Sequence, residues 1–135
     1  MRSVTTRKIA GFAAATALLS AAAACGSGSP SSPTTPAGPT VETTTITITS
    51  SGVSPVAIAV RAGSQVTFIN SDTRSHNITS DLHPDHEECP SINQVGVLVP
   101  GQSRQTGNLN TIRTCGYHDH DDAENRRWKG TIAIQ

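Results

Sequence analysis

Hydrophobic residues recur along this chain with a period of two, not of three and a half. Thr45-Ile46-Thr47-Ile48-Thr49 alternates strictly, and Val56-Ala57-Ile58-Ala59-Val60 alternates again. Alternation of this kind describes strands with one buried face and one solvated face. Ala62-Gly63 marks a turn into a third strand, Val66-Thr67-Phe68-Ile69-Asn70. His76-Asn77-Ile78-Thr79 fits a short fourth. Val95 to Val99 is apolar, Pro100-Gly101 turns the chain, and Ser103 to Leu109 can pair back. Thr111 to Tyr117 and Gly130 to Ile134 supply the last strands. No segment shows sustained helical periodicity. The pattern predicts an all-β sandwich or barrel of about seven or eight short strands. Two long polar connections interrupt it, residues 81–94 and 119–129, both carrying histidine and acidic side chains. Loops of this length in a small domain are functional or disordered, and a sandwich could bring both to one end.

The pattern fails at the N-terminus in an informative way. Arg2, Arg7 and Lys8 precede an alanine-rich apolar run that ends at Cys25-Gly26. Residues 1–24 therefore read as a secretory signal, too short and too alanine-rich for a permanent membrane span. Ala22-Ala23-Ala24 before Cys25 resembles a bacterial lipoprotein cleavage box, with Ala22 where leucine is usual. Lipidation of Cys25 would anchor the mature chain to a membrane through acyl chains. Residues 25–40 are then a Gly, Ser, Thr and Pro tether that cannot bury a core. Residues 41–135 form one small domain. The chain is expected to be exported, periplasmic or at the cell surface, and monomeric.

Charge removes several classes of function. The whole chain has ten basic and ten acidic residues. Without the three basic residues of the signal, the mature chain stands near −3 with its histidines neutral. Nothing resembles a basic patch for nucleic acid. No hydroxyl nucleophile stands beside an evident base, and no Gly-rich phosphate loop is present, so an enzyme is the weakest reading.

All five histidines fall between His76 and His120, and Cys115 lies three residues before His118. Thiolate and imidazole are copper donors, and two histidines with one cysteine make the trigonal electron-transfer arrangement. Several segments, in order, strengthen this. Val66-Thr67-Phe68-Ile69-Asn70 is followed by His76-Asn77-Ile78, then Pro100-Gly101-Gln102-Ser103, Cys115-x-x-His118 and Lys129-Gly130-Thr131-Ile132. In this order they resemble the cupredoxins, the plastocyanin, amicyanin and pseudoazurin group. The resemblance implies a Greek-key sandwich with one copper ion per domain, held equatorially by His76, Cys115 and His118. It also implies a one-electron carrier that meets a redox partner protein. The family's axial methionine has no counterpart, because the single methionine is Met1.

Rival readings use the same residues. His83, His86 and Cys89 lie in the acidic 81–94 loop, and His83, His86 and His120 could be further ligands or plain surface residues. Cys89 and Cys115 are an even pair in an exported protein, where such pairs usually form a disulfide. A disulfide would deny copper the Cys115 thiolate and leave a histidine site. That version suits copper homeostasis or scavenging better than electron transfer. A metal-free structural β-sandwich is the third reading. Cys115 as a ligand is the preferred expectation.

Overall fold

The computed structural model describes residues 39–135. The expected signal segment, Cys25 and most of the tether lie outside them. Ten strands form two sheets, with no α-helix among the described residues. The strands are β1 (Val41–Glu42), β2 (Thr45–Thr49), β3 (Gly52–Ser54), β4 (Ala57–Val60) and β5 (Thr67–Asn70), followed by β6 (His76–Ser80), β7 (Gly96–Leu98), β8 (Ser103–Gln105), β9 (Arg113–Asp119) and β10 (Lys129–Ile134). One sheet runs β1-β4-β10-β9-β6-β7 and the other β3-β2-β5-β8. Two strands more than the upper expectation come from short pieces, β1 and β3, that no alternation could reveal.

The alternating residues do what their period requires. Ile46 and Ile48 of β2 are fully buried, while Thr45, Thr47 and Thr49 are half-buried on the outer face. The core lies between the sheets, where Ile46, Ile48 and Phe68 meet Ile58, Ile78 and Ile132. Tyr117 adds the largest fully buried side chain, edge-on to Phe68 at 5.0 Å between ring centroids. Gly130 on β10 is needed here, because a Cβ would collide with the Tyr117 hydroxyl.

One boundary decides where the chemistry goes. The sequence places the end of the penultimate strand at Tyr117, yet β9 continues through His118 to Asp119. Pairing with β6 carries it on, with Ile78 opposite Asp119 and Thr79 opposite His118. Residues 120–128 are two short 3₁₀ turns, His120–Asp122 and Arg126–Trp128, not an open loop. A third, Pro90–Gln94, closes the 81–94 connection.

Candidate metal centre

In an extended strand, residues three apart point to opposite faces. Cys115, Tyr117 and Asp119 therefore face the core, and Gly116 and His118 face outward. His76 faces the core too, since it is two residues from Ile78 and opposite Leu98. His118 shares the outer face with Thr79, whose Oγ1 is 3.4 Å from its Nε2. The outer face would be solvent, but the 81–94 connection folds over it and leaves His118 only 1% exposed.

That fold-over assembles four imidazoles. The ligand nitrogens of His83, His86, His118 and His120 all lie within 4.8 Å of one another. Their rings are 4.9 to 5.7 Å apart, centroid to centroid, in the contacting pairs. Local structure explains the arrival of each. His118 comes from β9. His120 begins the next turn, which Asp119 caps by accepting the Asp121 amide at 3.2 Å. His86 has φ of +56°, in the left-handed region that histidine enters more readily than most residues. It is held there by its own amide, which donates to the Leu82 carbonyl at 2.6 Å, and by Asn93, whose Nδ2 donates to the His86 carbonyl at 2.9 Å.

Two of the rings have a fixed orientation. His118 Nδ1 donates to Asp81 Oδ1 at 2.5 Å, and His86 Nδ1 donates to the Ser80 carbonyl at 2.8 Å. With Nδ1 carrying the proton, Nε2 holds the free lone pair in each ring. Metal-bound histidines are oriented in this way by carboxylates and carbonyls. The Asp81 carboxylate fits only because residue 116 is glycine, since a Cβ there would meet its Oδ2. His120 Nδ1 stands 3.0 Å from His86 Nε2. Adjacent nitrogens on one ion, at bonds of about 2.0–2.1 Å, are separated by about 2.9–3.4 Å. Four imidazoles within this compass suit a borderline ion such as copper(II) or zinc, and need only a small inward closure of the widest pair.

The trigonal set expected from the sequence is not assembled. Cys115 is bonded to Cys89 in a disulfide, with Cα atoms 5.9 Å apart, so it offers no thiolate. His76 is fully buried on the opposite face from His118. Its Nδ1 is 2.8 Å from Asp119 Oδ2 and its Nε2 3.1 Å from Asp72 Oδ2. A carboxylate thus stands at each ring nitrogen, leaving neither free for a metal. The ring also packs on Trp128 at 4.7 Å, and the Arg74 guanidinium covers the indole at 4.7 Å. Of the residues named from sequence, His83, His86, His118 and His120 gather; His76, Cys89 and Cys115 do not join them.

The comparisons with known proteins follow this geometry. No family model matches the chain, and no curated protein matches it. Solved structures do. A purple cupredoxin from Nitrosopumilus maritimus aligns at 18% identity and TM-score 0.54, over 69% of this chain and all of that one. The fold is cupredoxin-like. Oxidised plastocyanin from Dryopteris crassirhizoma aligns at 18% identity and TM-score 0.53, over 67% of this chain and 99% of that one. A leucine-for-methionine variant of amicyanin aligns at 16% and 0.52, over 67% and 80%. The cupredoxin-like sandwich thus carries a histidine cluster on the outer face of one sheet and a disulfide within.

Asp81 and Ser80 are the residues of the candidate centre that sequence reading missed. A signal existed for Asp81, two residues before His83, but nothing in the pattern says that the 81–86 turn folds onto β9. Asp72 is a second surprise. Burial opposes its charge, but the Thr73 amide at 2.7 Å, His76 and Arg74 outweigh that, and its carboxyl is held below the usual value of 3.8.

Proposed function

We propose that this protein is an exported copper-binding protein that holds one copper(II) ion on His83, His86, His118 and His120. Its role is copper scavenging or homeostasis, as a monomer tethered through a lipid on Cys25. The observation that carries the reading is the convergence of four imidazole nitrogens within 4.8 Å, two with their tautomers fixed from behind. Imidazole donors serve copper and zinc alike, but copper(II) stands highest among the divalent ions in intrinsic affinity. The Cys89–Cys115 disulfide supports an oxidising compartment. Acidic residues flanking the cluster, Asp85, Glu87 and Asp121, are exposed and would concentrate cations near it.

The copper would be bound as a pale, nitrogen-ligated ion, since no thiolate is at hand. The protein's residues would do three things. His86 and His118 present oriented lone pairs, Asp81 balances charge behind His118, and His83 and His120 close the outer side. The electron-carrier reading has the cupredoxin-like fold in its favour, but its thiolate is tied up.

The test adds copper(II) to the exported, non-reduced protein. One ion should bind, with nitrogen hyperfine structure in the electron paramagnetic resonance spectrum and no intense thiolate-to-copper band. His118→Ala should lose that binding, and alkylation without reductant should add no mass at Cys89 or Cys115. An intense charge-transfer band that vanishes in Cys115→Ser would overturn the assignment and restore the carrier.

A further inference from the structure

The four imidazoles fall into two unlike pairs. His118 is buried and bonded through Nδ1 to Asp81; His86 is partly buried and bonded through Nδ1 to Ser80. Turning either ring away breaks an inward hydrogen bond. His83 and His120 are exposed. Among the described residues, the His83 ring lies beside the other three imidazoles and makes no hydrogen bond, and the one hydrogen-bonding contact of the His120 ring is with His86. Neither ring is held from behind by a carboxylate or a carbonyl. Rotating an exposed, unheld side chain costs little beyond a change of rotamer.

We infer that the two pairs divide the work: His86 and His118 retain the ion, while His83 and His120 form an exchange edge where an acceptor's imidazole or amine donors replace them and draw the metal out. The inference rests on the copper-binding reading above. In the exchange, one metal–nitrogen bond forms as another breaks. The metal keeps its oxidation state, and the displaced imidazole leaves with its lone pair, neutral until solvent protonates it. Attack from the other side is closed, because His118 is 1% exposed beneath the 81–94 connection. The exposed carboxylates of Asp85, Glu87 and Asp121, each next in sequence to His86 or His120, disfavour an anionic acceptor and suit a neutral or cationic one. The site is then built for delivery or pick-up, which a rigid electron-transfer centre is not.

Stopped-flow removal of copper from the loaded protein by free L-histidine tests this. The release rate should rise in proportion to the histidine concentration. His83→Ala, which removes one of the four donors, should bind copper more weakly and should release it faster at every histidine concentration. Asp81→Asn should lower affinity about 10- to 100-fold and shift the copper(II) hyperfine splitting, because it acts behind a retained ligand. A release rate independent of histidine overturns the inference, as does His83→Ala with unchanged release. If copper(II) does not bind at all, the copper-binding reading itself falls, an outcome distinct from binding with dissociative release.

Discussion

Asn70 is fully buried at the end of β5 and holds three backbone groups. Its Nδ2 donates to the Arg74 and Leu98 carbonyls at 2.8 and 2.9 Å, and its Oδ1 accepts the Asp72 amide at 2.9 Å. One amide therefore ties the 70–76 bend to β7 in the other sheet. Asn70→Ala leaves buried polar groups without partners, and should cost about 2–4 kcal/mol in denaturant unfolding. Tyr117 is the contrasting case. Burial pushes its phenol well above the usual 10.0, and its hydroxyl has no hydrogen-bond partner among the described residues. A buried hydroxyl with no partner gains nothing from being polar. Tyr117→Phe should leave stability within about 1 kcal/mol, or raise it, as read from the denaturation midpoint.

The 81–94 connection, with the 3₁₀ turn Pro90–Gln94 at its end, is the element on which the candidate centre depends. It delivers His83 and His86, and among the links that fasten it to its neighbours three lie at Glu88 and Cys89. Cys89 is joined to Cys115; Glu88 Oε2 accepts the Gly116 amide at 2.9 Å; Ser80 Oγ accepts the Cys89 amide at 2.8 Å. The disulfide closes a segment of 26 residues. Its loss in the Cys89→Ala, Cys115→Ala double variant should cost about 3.5 kcal/mol by the chain-entropy relation, measurable by equilibrium unfolding. The same variant tests whether the connection still covers His118, because amide hydrogen exchange at 81–89 should rise if the clasp is what holds it.

For the whole molecule, metal and pH are the informative variables. A ligand that binds only the folded state stabilises it by mass action, so copper(II) at about 100 times its Kd should add about 2.7 kcal/mol. A purely structural sandwich predicts no rise in melting temperature. Acid should act through Asp72. A carboxyl held below its ordinary value contributes stability that is present above that value and lost as pH falls through the lowered one. The difference in melting temperature between the wild type and Asp72→Asn, measured without metal, should therefore be level near neutrality. It should shrink as pH drops below 3.8, as Asp72 loses its charge against His76, Arg74 and the Thr73 amide. A gap that stayed constant down to strongly acid conditions would mean that Asp72 acts through packing and not through charge.

Most of the fold was legible in the chain because a strand's period is a local property. Ile46, Ile48, Phe68, Ile78 and Ile132 are core residues that alternation alone marks, and the resemblance to the cupredoxins pointed to the right kind of sandwich. The histidine-rich connections were also visible as the place where chemistry should be sought. Which histidines meet was decided by tertiary structure, for a reason of parity. Had β9 stopped at Cys115, a loop could have turned Cys115 and His118 toward one point. Pairing with β6 carries it to Asp119, and three residues of extended chain put the two side chains on opposite faces. The inward one finds Cys89 and the outward one finds the folded-over connection with His83 and His86. Strand length is set by a partner strand remote in sequence, so the chain could offer Cys89 as a rival to copper for Cys115, but no local pattern could decide between them or show that His118 meets three other imidazoles.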